Sequence, residues 1–197
     1  SKVGKWYDEI YLFSKTAHCQ TGAFKFIPKK YKYDDLALDK IEAIMQQQKD
    51  RIDENEHRKK HGRKEKKVPN VCIIFDDIIT CHKLRHSGII DTLSTLGRHV
   101  KCAFYLLSQC ASKKFSVNKA VRSNVRFCFA AYLRSEADRN TIVEEYLSVN
   151  NKKEGLELFR AITKVPFQYC VIDLEKSVNA QKLSTIPFCT EFRSGYI

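Results

Sequence analysis

Short apolar runs alternate along the chain with segments whose apolar residues recur at helical spacing. The nearly unbroken runs at 71–75 and 103–107 predict strands that are buried on both faces, as in the middle of a parallel sheet. Residues 9–14, 125–133 and 168–174 predict further strands.

Between these strands, four segments repeat apolar residues every three or four positions, which predicts amphipathic helices. Asp34 or Asp35 can cap the first helix, Gly97 lies at the C-cap of the second, and Ser135 with Asp138 resembles a capping box before the third. The apolar stripes are Leu38, Ile41 and Met45; Ile89, Ile90, Leu93 and Leu96; Ile142, Val143, Tyr146 and Leu147; and Leu156, Phe159 and Ile162. The alternation predicts an α/β fold, with a mostly parallel sheet and helices on both faces, in a single domain over residues 1–197.

Positive charge is concentrated in one segment. Lys and Arg number 35 against 23 Asp and Glu, giving a net charge of +12, and about half of it lies in the run HRKKHGRKEKK at 57–67. Residues 50–67 are predicted to form a charged, flexible loop, which is either a solvated segment or a DNA-binding one. A polyanionic partner is expected, nucleic acid before anionic membrane. The candidate phosphate-binding residues are Arg58, Lys59, Lys60, Arg63, Lys64, Lys66 and Lys67.

The eight cysteines are scattered without a CxxC pair, which favours reduced thiols in a reducing compartment. Cys81, His82 and His86 cluster, but without a second ligand pair they are a weak zinc signal. No run of apolar residues is long enough to span a bilayer, so membrane insertion is not expected.

Polar side chains end two of the predicted strands: Asp76 and Asp77 after one, Ser108 and Gln109 after the other. Ligands of open parallel sheets bind at the carboxyl ends of strands. An apolar strand that ends in two carboxylates matches the Walker B arrangement, in which one holds Mg²⁺ and the other orients the attacking water. The open alternative is that the two aspartates only cap a loop or the following helix.

Six short motifs occur in an order that resembles a known family. They are WYDEIYLFSKT at 6–16, IMQQQK at 44–49, IIFDD at 73–77, LGRH at 96–99, LSQ at 107–109 and VRSN at 121–124. Together they resemble the poxvirus-type genome-packaging ATPases of large DNA viruses, a branch of the FtsK/HerA superfamily of P-loop motors. The resemblance covers nearly the whole chain; each motif is short, and the specificity lies in their order and spacing.

The resemblance implies a P-loop NTPase core of the RecA/FtsK-like type that uses ATP and Mg²⁺ to move double-stranded DNA into a capsid. It also implies a homo-oligomeric ring, capsid or portal-vertex proteins as partners, and a location in the virion or in viral factories of the host cytoplasm. Asp76 would be the metal carboxylate, Asp77 the catalytic carboxylate and Gln109 the sensor of the γ-phosphate. Arg122 and Arg98 are candidates for an arginine supplied to the neighbouring subunit. Otherwise, Arg98 neutralises a helix C-terminus and Arg122 pairs with a surface carboxylate.

One departure from the family is large. The motif GxxxxGK[ST], whose backbone amides hold phosphates, is absent, because Gly4-Lys5 is followed by Trp6. We therefore expect an ATPase core that lacks its first strand and P-loop, as a fragment or a degenerate enzyme, and that is inactive as given. The alternatives are a non-catalytic nucleic-acid-binding or scaffold subunit derived from such an ATPase, and the related ATPase of a virus-like transposon.

Overall fold

The computed structural model describes residues 6–19, 23–77, 88–111, 119–147, 151–166 and 168–174. The chain divides into two compact units, the first comprising residues 1–109 and 117–121 and the second residues 110–116 and 122–197. Each unit is described by itself, and the single domain expected over residues 1–197 stays a prediction. Among the described residues, no helix combines the length and the apolar character needed to cross a bilayer.

The first unit is built on a four-stranded parallel sheet. Its strands are β1 (Glu9–Ser14), β2 (Lys32–Tyr33), β3 (Val71–Asp76) and β4 (Cys102–Leu107), in the order β2-β1-β3-β4. Helices α1 (Leu38–Lys60) and α2 (Ile89–Leu96) belong to the same unit. The structure thus confirms an α/β fold with a parallel sheet flanked by helices.

Strand β3 is buried on both faces, as the apolar run at 71–75 predicts. For 103–107 the same expectation is wrong, because β4 is the last strand in the described sheet and Tyr105 and Leu107 are exposed. On one face, Phe13 of β1 stacks on Phe75 of β3 with ring centroids 5.6 Å apart. Helices α1 and α2 contribute Ile41, Ile44, Ile89, Ile90 and Leu93 to this core. The opposite face carries Leu12, Cys72 and Ile74, which pack against Ala17 and Ile27 from the segment after β1.

Helix α1 extends further than its apolar stripe predicts. Residues 50–60, expected to belong to a flexible loop, continue the helix to Lys60. Gln48, which has no exposed surface, donates hydrogen bonds to the backbone oxygens of Pro69 at 2.8 Å and Val100 at 3.1 Å. The buried amide ties the middle of α1 to the segments that precede β3 and β4.

Gly97 follows α2 at the C-cap, as predicted, but for a different reason. Its φ of −52° is right-handed, so the position does not need the left-handed freedom of glycine. A Cβ at Gly97 would lie 2.7 Å from the carbonyl oxygen of Cys102, which is closer than packed atoms approach. Glycine here lets the end of α2 lie directly against the start of β4.

The second unit pairs β5 (Phe127–Ala130) with β6 (Cys170–Asp173) in antiparallel register, and both are shorter than the predicted strands. Its helices are α4 (Glu136–Tyr146) and α5 (Lys152–Thr163); α3 (Lys119–Asn124) spans the boundary between the units. The core surrounds the fully buried Phe159. The predicted cap is confirmed, since the Ser135 side chain accepts a hydrogen bond from the Asp138 N–H at 3.3 Å.

The described cysteines are free thiols, and several of them pack in the core. Burial raises the pKa of Cys72 and of Cys128 to about 12. Such thiols stay protonated and behave as small apolar side chains.

Candidate functional site

Three neighbouring parallel strands bring polar side chains to one edge of the sheet. The register places Ser14 at the end of β1 beside Asp76 at the end of β3, and Asp76 beside Leu107 of β4. Gln109 follows β4 two residues later. The structure therefore brings together three predicted site residues, Asp76, Asp77 and Gln109, and adds Ser14.

The Asp76 carboxylate is held by a neighbouring hydroxyl. Ser14, only 1% exposed, donates from Oγ to Asp76 Oδ2 at 2.9 Å. Ser14 Oγ also accepts the Thr16 N–H at 3.2 Å and lies 3.1 Å from Thr16 Oγ1. Because Oγ is engaged from both sides, the orientation of one Asp76 oxygen is set before any ligand binds.

Asp77 adopts a left-handed backbone with φ of 54°, a conformation that Asp tolerates better than most residues. Its N–H donates to the carbonyl oxygen of Leu107 at 3.1 Å, which extends the β3–β4 ladder by one bond. The side chain is exposed and Gln109 Nε2 lies 3.5 Å from Asp77 Oδ2, at the outer limit of a hydrogen bond. The amide predicted to sense phosphate thus contacts the carboxylate predicted to orient water.

These oxygen donors suit Mg²⁺ in chemical type. Mg²⁺ usually takes one or two protein carboxylates and completes its octahedron with waters and substrate phosphates. Within the described residues, no group of three or more His, Cys, Asp or Glu could hold a metal alone. Among the described residues, Asp76 and Asp77 are the carboxylates that could hold such a metal, with a bound nucleotide and water supplying further ligands.

Arg98 lies far from these carboxylates within its own unit. It lines a cleft of about 720 Å³ with Trp6, Lys101 and Tyr105, at the amino ends of the strands. Strand β4 separates the two ends by about 20 Å at 3.3 Å per residue. Arg98 therefore does not belong to the carboxylate cluster of its own chain. It follows the C-terminus of α2, where a cation is electrostatically favourable.

Arg122 belongs to the second unit, where it forms an ion pair with Glu145 of α4. This contact matches the alternative left open by the sequence, in which Arg122 pairs with a carboxylate. The two arginines thus differ in exposure. Arg98 is exposed beside a cleft, whereas Arg122 is held in an ion pair with only 17% of its side chain exposed.

The basic stretch is an ordered element. After α1 ends, residues 61–68, which we call the strap, run back along the helix to the buried Val68. Asn55 Oδ1 accepts a hydrogen bond from the Lys66 N–H at 2.8 Å, and Asn55 Nδ2 donates one to the Lys66 carbonyl oxygen at 2.6 Å. The flexible loop expected at 50–67 is therefore corrected to a helix followed by a pinned segment, because side chains of α1 satisfy the backbone of the strap.

Ser14 and Thr16 are the site residues that sequence reasoning missed. Both occur in the first family motif, and Ser14 ends an apolar run just as Asp76 does, which was the available signal. Cys81, His82 and His86, the weak zinc candidates, lie outside the described residues.

The parallel sheet, its flanking helices and the carboxylates at its carboxyl edge define an α/β fold of the P-loop NTPase type. In the solved structures, the chain is similar to the genome packaging NTPase B204 from Sulfolobus turreted icosahedral virus 2 in complex with AMPPCP. That likeness has a TM-score of 0.53 and 16% identity, over 88% of this chain and 82% of that chain. The AMP complex of B204 matches with a TM-score of 0.51 and 17% identity over the same shares. At these identities, the likeness shows the fold.

No protein-family model matches the chain, and a comparison with curated proteins gives no match either.

Proposed function

We propose that this chain is the core of an ATP-driven motor that packages double-stranded viral DNA into a capsid. The observation that carries the proposal is the cluster of Ser14, Asp76, Asp77 and Gln109 at the carboxyl edge of a parallel sheet. Supporting it, the fold is similar to that of the genome packaging NTPase B204, whose solved structures contain AMPPCP or AMP.

In this proposal, the two carboxylates have different roles because their surroundings differ. Asp76, oriented by Ser14, would hold Mg²⁺, which when bound neutralises charge on the phosphates. Asp77 is exposed and engaged only weakly by Gln109, so its carboxylate can accept a hydrogen bond from water. The Gln109 amide nitrogen carries two N–H donors, so one can bond Asp77 while the other bonds a phosphate oxygen.

The test is ATP turnover by the full-length gene product that contains these residues, since the 197 residues include no GxxxxGK[ST] motif. Asp77→Asn keeps the size of the side chain and removes its ability to accept a proton. We expect turnover to fall by about 100-fold or more, in the range typical of general base loss. Asp53→Asn is the matched control, because Asp53 is an exposed carboxylate on α1. An unchanged rate in Asp77→Asn would refute the catalytic role.

Duplex DNA is the proposed cargo, and the basic residues of α1 and the strap are the proposed contact. The net charge of +12 and the clustering of about half of it at 57–67 support a polyanionic partner. Capsid or portal-vertex proteins and further copies of the chain in a ring are the other proposed partners, and the virion or the viral factory is the proposed location. A virus-like transposon is the alternative setting for the same chemistry.

A second candidate function is a non-catalytic DNA-binding or scaffold subunit. The ordered strap favours it, since a fixed basic surface can bind duplex DNA without any nucleotide chemistry. The two functions separate in one experiment: salt-sensitive duplex binding with no ATP turnover in the full-length protein would favour the second.

A further inference from the structure

Helix α1 ends in a turn that reverses the chain onto the surface of the helix. Gly62 has a left-handed φ of 65°, and its N–H donates to the Lys59 carbonyl oxygen at 3.1 Å. The N–H of Arg63 donates to the Arg58 carbonyl oxygen at 2.9 Å. These two bonds form a Schellman motif, which satisfies the last carbonyl groups of the helix and fixes where the strap begins.

Three of the seven basic side chains, which we call the engaged cations, bond oxygen atoms of the same unit. A cation bonded to a carbonyl or carboxylate oxygen shares its charge with that oxygen, so it attracts a phosphate less than a cation without such a partner, although the exposed pairs Lys66–Glu54 and Lys67–Asp8 are individually weak. The partners are the Lys64 carbonyl oxygen at 2.8 Å for Arg58, Glu54 at 2.7 Å for Lys66, and Asp8 for Lys67.

The remaining four cations are presented outward around the turn. Lys59, Lys60, Arg63 and Lys64 are exposed, and within the described part of the chain their side chains form no hydrogen bond or ion pair. We infer that these four residues bind the phosphates of duplex DNA, whereas Arg58, Lys66 and Lys67 fix the strap in place. The inference rests on the proposed DNA-moving function and divides its basic surface into contacting and positioning residues.

Asn55 gives this surface a fixed geometry. Its amide bonds both the N–H and the carbonyl oxygen of Lys66, as a neighbouring strand would, and Val68 anchors the end of the strap in the core. A preorganised group of cations loses less conformational entropy on binding than cations on a mobile loop. Asn55 is therefore a positioning residue that acts through the strap.

The composition of the turn favours duplex phosphates over two other polyanionic surfaces. Residues 57–67 contain no aliphatic residue and no Phe, Tyr or Trp. Without apolar side chains, the segment has nothing to insert between lipids. Its only rings are His57 and His61, which lie against each other with centroids 4.2 Å apart and are not spread out to take successive unpaired bases. Charge is therefore the main feature of the segment, and it suits the regular phosphates of a duplex.

The test compares two triple variants that remove the same charges from the full-length protein. Lys60→Gln, Arg63→Gln and Lys64→Gln remove outward cations, whereas Arg58→Gln, Lys66→Gln and Lys67→Gln remove the engaged ones. Duplex affinity is measured across a series of salt concentrations for each protein. At about 0.9 per phosphate contact, we expect the outward triple to lower the salt slope by about 2.7 and the engaged triple by less than about 1.

Asn55→Ala keeps every charge and supplies the second measurement. We expect it to weaken duplex binding by about threefold or more while the salt slope stays unchanged, because the contacts are retained and only their preorganisation is lost. Equal slope changes in the two triples, or none in the outward triple, would overturn the inference. The inference would also be overturned if the protein preferred phosphatidylserine vesicles or single-stranded DNA to the duplex and the outward triple weakened that binding.

ATP turnover of the unsubstituted protein is measured in parallel to separate the two proposals. If the protein hydrolyses ATP but the two triple variants change the salt slope equally, only the division into contacting and positioning cations is refuted. A protein that binds the duplex as expected but does not hydrolyse ATP refutes the motor and leaves the surface assignment in place.

Discussion

Ser14 on β1 donates a hydrogen bond to Asp76 on β3 at 2.9 Å, so the carboxylate that ends the central strand is oriented by the strand beside it. The parallel register sets the two residues directly opposite each other. The contact makes the end of β1 part of the candidate site, where sequence reasoning had used only the ends of β3 and β4.

Replacing Ser14 by Ala should weaken metal binding at Asp76. A hydrogen bond to a charged group contributes about 1.5–3 kcal/mol, so the Mg²⁺ concentration for half-maximal turnover should rise by about tenfold or more. Turnover at saturating Mg²⁺ should change much less, because Ser14 acts through Asp76. The measurement is a Mg²⁺ titration of ATP turnover in the full-length protein.

Ser94→Ala is the matched control, since the Ser94 hydroxyl bonds only the Asp91 carbonyl oxygen of its own helix α2. A Mg²⁺ dependence that shifts equally in both variants would argue against a specific role for Ser14. So would a loss of turnover in Ser14→Ala that saturating Mg²⁺ does not recover.

Arg98 gives a prediction about the proposed ring. It is exposed at the amino end of the sheet, away from the carboxylates of its own unit, as a residue that serves a neighbouring subunit would be. Subunits carrying Asp77→Asn and subunits carrying Arg98→Ala should each be inactive alone. Mixing them should restore part of the turnover, because some interfaces then combine an intact Asp77 with an intact Arg98.

The same mixture made with Arg122→Ala distinguishes the two arginines. Arg122 is held by Glu145 within its own unit, so its replacement should mainly lower the melting temperature. Restoration with Arg122→Ala but not with Arg98→Ala would reverse the assignment.

Gln48 gives a prediction about stability. Gln48→Leu keeps the side-chain volume but leaves the carbonyl oxygens of Pro69 and Val100 without their donor. Unsatisfied buried groups cost about 1–3 kcal/mol each, so the free energy of unfolding should fall by about 2 kcal/mol or more. Gln47→Leu is the control because Gln47 is exposed, and it should change stability little. Equal effects in chemical denaturation would contradict the role of Gln48.

The same residue shows what the sequence could predict and what it could not. Apolar runs placed β1, β3 and β4 almost to the residue. The run of β3 reflects burial on both faces, whereas β4 is equally apolar although Tyr105 and Leu107 are exposed. Gln48 continues the stripe of Ile41 and Ile44 at helical spacing, so its burial was readable in principle. Its partners were not, because they are backbone oxygens brought near by tertiary packing.

The basic stretch is the opposite case. Its composition shows the high positive charge of residues 57–67, but it wrongly predicts a flexible loop there. The reason is that no apolar periodicity marks the strap. The order comes from Asn55 and Glu54 on α1, whose bonds to Lys66 depend on the chain reversing at Gly62. Composition cannot show such contacts, because they join residues that become neighbours only after the turn forms.

The strap also makes a prediction about pH. The Lys66 ammonium, which bonds Glu54, lowers the pKa of that carboxyl, and Arg58 nearby acts in the same direction. Lys67 lowers the pKa of Asp8 in the same way, helped by the Asn70 N–H. A carboxyl whose pKa is lower in the folded state stabilises the fold above its unfolded pKa and loses that contribution as the pH falls through the folded value. The stabilisation from these two carboxyl groups should therefore be present above about pH 4.3, the ordinary pKa of Glu, and be lost as the pH falls through their lowered folded pKa values.

Carboxyl ¹³C chemical shifts, followed by NMR as the pH is lowered, test the two pairs separately. Lys66→Gln should return the pKa of Glu54 toward its ordinary value and leave Asp8 unchanged, whereas Lys67→Gln should do the reverse. Each substitution is thus the control for the other, because both remove one positive charge from the same strap. Equal shifts of both carboxyl pKa values in both variants would mean that the general field of the basic stretch acts, and not the two specific bonds.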